Sequence, residues 1–328
     1  MWKRISTSLL STAIAVAIIW FLLSRVWGDL SSVLNQIVPT WLVVITSIFI
    51  FELFVRGFRY SAILKRLDTS ASTCFSTACI YVSQTANILL PARLGDFVRM
   101  FILKHEKDTP YTNSLTSLIA ERVYDILTIA FLGLCTLPFL LSLIPKEYEW
   151  FIGLIIFVLI CGSVGVLILV FTRRLHAGNK IISKVLEIFS QFRHVSSSIT
   201  SFTELSVTSI SIWLMDALIC YMVSLMFGVT LPFTLILLAI VIGNLVKAVP
   251  ITPGGIGTYE LALTVIFQIG GVPAATATMI AVVNHLINYG LTIFGGGVSI
   301  FYFGDWILSL LKRIVVHGKK IDGDNDEY

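Results

Sequence analysis

The stretch NILLPARLGDFVRM, residues 87–100, decides how this chain folds. It follows an apolar run and gathers Pro91, Arg93, Gly95, Asp96 and Arg99 within a few positions. Either the run crosses a bilayer and leaves these charges in a loop, or it enters, breaks at Pro91–Gly95 and returns, holding the charges inside the protein. The surroundings make the bilayer the relevant solvent. The chain has 328 residues, of which 56% are hydrophobic and 13% charged, with a mean hydropathy of +0.91. Soluble domains carry about 25% charged residues. This composition indicates an all-α polytopic membrane protein and leaves no soluble domain of useful size. The longest polar stretch, residues 172–204, is interrupted by apolar helical turns.

Working outward, runs of about 20 apolar residues mark spans. They fall at about 6–26, 41–60, 113–141, 150–171, 205–228 and 273–304. The N-terminal run exceeds the 7–15 residues of a signal-peptide core, so it reads as a retained first helix. Two further segments are interrupted. One, about 74–102, breaks at Pro91–Gly95; the other, about 233–270, breaks at Pro250, Pro253, Gly254, Gly255 and Gly257. If each interrupted segment enters and leaves on one side, 19 of the 23 basic residues collect on the cytoplasmic face. If residues 74–90 span fully, the basic loop 173–193 moves outside and the asymmetry collapses. Lys/Arg bias sets orientation, so the charges favour six full spans plus two re-entrant broken hairpins, with both termini cytoplasmic. An inner, cytoplasmic membrane is expected, since barrels rather than apolar helices populate outer membranes.

That topology implies an inverted repeat: residues 1–143 form one half, 144–310 the other, and 311–328 a cytoplasmic tail. Each half has an odd number of crossings, so the second is upside down. PARLGDF at 91–97 matches PGGIGTY at 253–259 as Pro-x-x-(Leu/Ile)-Gly-x-aromatic. Corresponding broken helices in two inverted halves point to a transporter's substrate site. Unpaired backbone groups in hydrocarbon cost several kcal/mol each, so such breaks persist only against protein or a wet cavity. Half-helix N-termini offer free N–H donors and partial positive charge, which suits an anion, phosphate above all.

Charges at mid-membrane are functional candidates, usually paired. In ERVYD (121–125), Glu121, Arg122 and Asp125 share a helix face. They either form an ion pair reaching the interface or line a cavity. Lys247 either snorkels outward or meets a phosphate or acid. Glu260 either favours the N-terminus of the helix that follows the second break or faces the cavity. Asn284, His285 and Asn288 lie about 160 residues after ERVYD, in the equivalent helix, where they either glue helices or line the site. Arg56 and Arg59 are placed at the headgroup level. The five cysteines are scattered in apolar segments, so neither a disulfide nor a metal site is expected, and no cofactor.

LPARLGDFVRMFIL, ERVYD and TPGGIGTYELAL, in this order, resemble the family named for the transmembrane region of lysylphosphatidylglycerol synthase, also called flippase-like proteins. The resemblance covers about residues 10–305. The family's acid after Arg-x-Gly falls at Asp96, its Glu-Arg pair at Glu121 and Arg122, and its acid after the second Pro-Gly-Gly at Glu260. The resemblance implies lipid translocation rather than lipid aminoacylation, with aminoacylated phospholipids or polyprenyl-phosphate-linked sugars as cargo classes. The expected function is therefore a lipid flippase, not an enzyme. Its headgroup would meet Arg93, Arg99, Arg122 and Lys247, tuned by Asp96, Glu121, Asp125 and Glu260. A lipid- or glycan-synthesis enzyme is an expected partner; nucleic acid is not. The rival readings are a membrane-embedded enzyme acting on lipid headgroups and a non-transporting scaffold. No HExxH, GxSxG or Asp-rich magnesium motif supports the former.

Overall fold

The computed structural model describes residues 40–89, 94–140, 180–248, 252–304 and 306–310, with isolated positions at 20, 150, 153, 157 and 164. The spans expected at 6–26 and 150–171, the break residues Pro91 and Arg93, Pro250, and the tail 311–328 lie outside the described residues, apart from those isolated positions. Among the described residues all regular structure is helical. The elements are α1 (Thr40–Arg66), α2 (Thr73–Leu89), α3 (Gly95–Lys107), α4 (Tyr111–Leu140), α5 (Lys180–Val195), α6 (Ile199–Met226), α7 (Phe233–Ala248), a 3-10 turn (Pro253–Gly255), α8 (Thr258–Ile269) and α9 (Ala274–Phe303). Three of them, α1, α6 and α9, are long and apolar enough to cross a membrane, and α7 and α8 are shorter apolar helices. The 30-residue α4 carries Glu121, Arg122 and Asp125 along its length.

The helix ends repeat. α1 closes on Leu64, whose carbonyl accepts from the N–H groups of Leu67 and Thr69, with Asp68 left-handed at φ 58°. α6 closes the same way on Ser224, which accepts from Phe227 and Val229, with Gly228 at φ 69°. This is the Schellman type of stop, which uses otherwise orphaned carbonyls. α3 ends at left-handed Asp108 (φ 49°) and α8 just before Gly271 (φ 84°). α4 then follows Pro110 and α9 follows Pro273, each proline carbonyl accepting from the first turn. The starts of α1 and α6, α2 and α7, α3 and α8, and α4 and α9 are 159, 160, 163 and 163 residues apart.

Packing follows the same exchange of partners. α1 lies against α6; α2 packs on α9 as α7 packs on α4; α2 packs on α3 as α7 packs on α8. Between helices in lipid, close approach and polar contacts supply the adhesion that water would otherwise drive. At Gly296 of α9, an added Cβ would come within 2.0 Å of the Thr85 hydroxyl of α2, and that hydroxyl donates to the Thr292 carbonyl at 3.0 Å. Large apolar side chains, including Phe51 and Phe54 on α1 and Phe294 and Phe301 on α9, are exposed on the outside, as lipid contact requires. The amphipathic α5 lies in the polar stretch 172–204. It packs Phe192 and Val195 against Ile63, Leu67 and Tyr124.

The expected end of the second span at residue 60 is corrected: α1 continues to Arg66, with Ile63 and Leu64 fully buried. Arg59 therefore lies nearly two turns inside the helix and is 1% exposed, enclosed by protein. Arg56 is likewise part-buried, paired with two acids. Arg99 is 3% exposed. Three of the nineteen basic residues expected on the cytoplasmic face, Arg56, Arg59 and Arg99, thus serve internal pairs.

Candidate functional site

A cavity of about 210 Å³ lies where α1, α2, α4, α6, α7, α8 and α9 converge. Its charged wall is Glu52, Arg56, Arg122, Asp216 and Lys247. Carboxamides of Gln84, Asn87, Asn244 and Asn288, the rings of Tyr81, Tyr259, His285 and Tyr289, and the backbone of Gly254 and Gly255 complete it.

One side is a buried chain of alternating charge. Asp96 meets Arg122 at 3.6 Å, and Arg122 meets Asp125 at 3.5 Å. Arg59 donates to Asp125 at 2.7 Å, to Glu121 at 3.1 Å and to Ser209 at 2.9 Å. Arg99 pairs with Glu121 at 2.8 Å and lies 4.4 Å over the Tyr60 ring. Three acids and three arginines thus balance, which is the condition for holding charge in a low-dielectric interior. The side chain of Arg122 is 43% exposed and is the member of this chain that reaches the cavity. Asp96 is steadied by the Ser83 hydroxyl (3.3 Å) and the Asn87 amide (3.0 Å).

A second group bridges α1 and α6. Arg56 donates to Glu52 at 2.5 Å and to Asp216 at 3.0 Å. Arg56 and Asp216 stand at equivalent places in their helices, each eight residues before the residue whose carbonyl closes the helix, Leu64 and Ser224.

The floor is the turn before α8. Gly254 (φ 62°), Gly255 (φ 79°) and Gly257 (φ 87°) adopt left-handed backbone that a side chain would strain. At Gly254 a Cβ would also lie 2.1 Å from the Tyr289 hydroxyl, which donates to the Gly254 carbonyl. Glu260 accepts from the Gly257 N–H at 2.8 Å, capping α8. Its other oxygen lies within hydrogen-bond distance of His285 Nδ1, at 2.8 Å. Asn284 donates to the Tyr259 hydroxyl at 3.1 Å. Lys247 lies 5.5 Å from the Tyr259 ring and 5.0 Å from the Tyr289 ring.

Of the residues expected from sequence, Arg122, Lys247, Gly254, Gly255, His285 and Asn288 line the cavity. Asp96, Arg99, Glu121 and Asp125 stand behind Arg122 as its direct or relayed partners. Glu260 and Asn284 are buried behind the wall, and Gly257 and Pro253 shape the turn. Arg93 lies outside the described residues. Sequence reasoning missed Glu52, Asp216 and Tyr81, whereas Tyr259 is the aromatic of the second break motif and Tyr289 lies four residues after His285 in the polar cluster. Glu52 and Asp216 carry a usable signal, since each is an acid inside an otherwise apolar helix. Among the described residues no group of three or more His, Cys, Asp or Glu side chains is placed to hold a metal. The arrangement can bind a charged, hydrogen-bonding group within a shell of apolar helices.

The family described as the lysylphosphatidylglycerol synthase TM region matches residues 8–296. The glycosyltransferase AglD of Haloferax volcanii is 29% identical over 89% of this chain and 53% of its own length. The chain therefore spans about half of that relative. The UPF0104 membrane protein MJ1078 of Methanocaldococcus jannaschii is 26% identical over 74% of this chain and 99% of its own. A UPF0104 membrane protein of Methanothermobacter thermautotrophicus is 22% identical over 94% of this chain and 95% of its own. No solved structure matches.

Proposed function

The chain belongs to the lysylphosphatidylglycerol synthase transmembrane-region family, and on that footing we propose that it moves the phosphate-bearing headgroup of a membrane lipid across the cytoplasmic membrane. One observation carries the reading: a polar cavity with Arg56, Arg122 and Lys247 in its wall, enclosed by helices whose outer faces are apolar. A headgroup in that cavity meets three cations, while its acyl or prenyl tail stays in lipid. Lys247 and Arg122 are the direct phosphate ligands. Asp96, Glu121, Asp125, Arg59 and Arg99 fix where Arg122 stands. Gly254 and Gly255 let the headgroup approach the backbone, and Asn288 and His285 hydrogen-bond it. Glu260 positions His285 and caps α8.

In this reading the chain has six full spans and two re-entrant pairs, α2–α3 and α7–α8, in two inverted halves, residues 1–143 and 144–310. The near-constant spacing of equivalent helices, their matching left-handed stops at Asp68/Gly228 and Asp108/Gly271, and the prolines Pro110 and Pro273 support the repeat. Rocking of one half against the other about the α1–α6 contact would expose the cavity to each face in turn. No catalytic step is assigned to the chain. A second reading keeps the same cavity but makes the chain the membrane partner of a glycan-synthesis enzyme. It is favoured by the alignment to about half of a protein named a glycosyltransferase.

The test is reconstitution of the purified protein in liposomes with a fluorescent phospholipid or polyprenyl phosphate, read by a membrane-impermeant quencher. Wild type should make inner-leaflet lipid accessible faster than protein-free liposomes do, and Arg122→Ala should remove most of the gain. Equal rates in all three samples would overturn the reading.

A further inference from the structure

The group bridging α1 and α6 has one guanidinium for two carboxylates. Glu52 is 2% exposed and lies on the cavity wall. Its Oε1 accepts from Arg56 at 2.5 Å, and the same arginine reaches Asp216 at 3.0 Å. The other Glu52 oxygen, Oε2, is buried and has no hydrogen-bond partner. A buried carboxylate without a full set of partners costs several kcal/mol, and it neutralises where it can. The groups facing it do not balance it. From α1, Arg59 is committed to Glu121 and Asp125. From α2 comes Tyr81, an uncharged ring. From α4 come Asp125, a further acid, and Arg122, paired with Asp96 and Asp125. From α6 comes Asp216 itself. Across the cavity, on α7, Lys247 stands by Tyr259 and Tyr289 and acts through space on Asp216 rather than on Glu52. α5 meets α1 at the far end, around Ile63 and Leu67.

We infer that Glu52 Oε2 is a proton-binding site that couples headgroup movement to proton movement. The proton leaves hydronium of the aqueous phase, reaches Glu52 through the cavity and forms an O–H bond at Oε2; no other bond changes. With no headgroup bound, Arg56 serves both carboxylates; a proton on Glu52 leaves one negative charge, on Asp216. When an anionic headgroup draws on Arg56, the two acids lose part of their partner, so proton and headgroup bind best together. Release on the other face lets Arg56 return to both carboxylates. Cargo and proton then cross as a near-neutral pair, which lowers the cost of passing charge through hydrocarbon.

The inference rests on the transport reading, and two measurements keep them distinguishable. The first needs no transport: infrared difference spectra of the full chain in detergent, titrated with pH. A protonated-carboxyl band is expected in wild type and should be lost in Glu52→Gln, while Asp216→Asn should shift it. Absence of any such band across the titration, or its survival in Glu52→Gln, overturns the inference. The second uses liposomes with a pH gradient, with a sodium gradient at constant pH as the comparison arm. With one proton per headgroup, the lipid distribution should shift by up to about tenfold per pH unit, and the sodium gradient should do nothing. Lipid movement indifferent to the pH gradient overturns proton coupling and leaves the flippase reading standing. A wild-type rate equal to that of protein-free liposomes overturns the flippase reading, and the infrared band still decides the proton site.

Discussion

Replacing Arg59 by methionine tests whether the buried charge chain holds the helices together. Arg59 is 1% exposed and makes three hydrogen bonds, to Asp125, Ser209 and Glu121, joining α1 to α4 and α6. Removing one partner of a buried ion pair costs about 3–5 kcal/mol when the remaining charge is stranded. Here stranding is partial: Glu121 keeps Arg99 at 2.8 Å and Asp125 keeps Arg122 at 3.5 Å. Methionine also removes a buried guanidinium and fills similar space. The expected loss is therefore below that range, about 2–3 kcal/mol, or roughly 30- to 150-fold in the folded-to-unfolded ratio. Arg66→Met is the internal control. Arg66 pairs with Glu204 at the more exposed end of α1, where such a pair contributes about 0–1 kcal/mol. Equilibrium unfolding in detergent micelles measures both. An Arg59→Met loss no larger than that of Arg66→Met would refute the argument that balanced burial gives this residue its weight.

Four further outcomes follow from the same geometry. Arg122→Ala should change unfolding free energy by less than about 1 kcal/mol, since its side chain is half-exposed, yet remove most lipid movement in liposomes. Lys247→Met should weaken binding of a soluble phosphate-headgroup analogue by about 10- to 100-fold, the range for a hydrogen bond to a charged group, as read by calorimetry. Gly254→Ala should cost at least about 1–2 kcal/mol of stability for its left-handed backbone, and more if Tyr289 cannot move. Cysteines placed at Lys104 and Arg174 should both label from the cytoplasmic side of oriented vesicles; labelling from opposite sides would end the re-entrant topology.

The helices were legible where local chemistry writes them. The apolar run near 273–304 matches α9 within a residue, α6 starts six residues before the run near 205–228, and the interrupted segments 74–102 and 233–270 correspond to the helix pairs α2–α3 and α7–α8, α3 running five residues further. The prolines and glycines that break a helix act on their own neighbours, so they show in sequence. Pair partners do not. The role of Arg59 does not show in the sequence, because its acids lie 62 and 66 positions away. Asp216 went unread because its partner is 160 residues distant. The 160-residue offset of the α1 and α6 stops leads from Asp216, the acid in the apolar part of α6, to Arg56. Tyr81 is invisible for another reason: an aromatic residue in an apolar helix looks like lipid contact until its ring is found in the cavity wall.

The central claim is that the headgroup passes through the cavity beside Lys247 and Arg122. The most direct measurement places a single cysteine at Asn288, on the cavity wall, in a background with the native cysteines replaced. A bulky thiol reagent is then applied to proteoliposomes while lipid movement is followed. The account predicts that labelling blocks movement and that a phosphate-headgroup lipid slows the labelling. Complete labelling with undiminished lipid movement would contradict it.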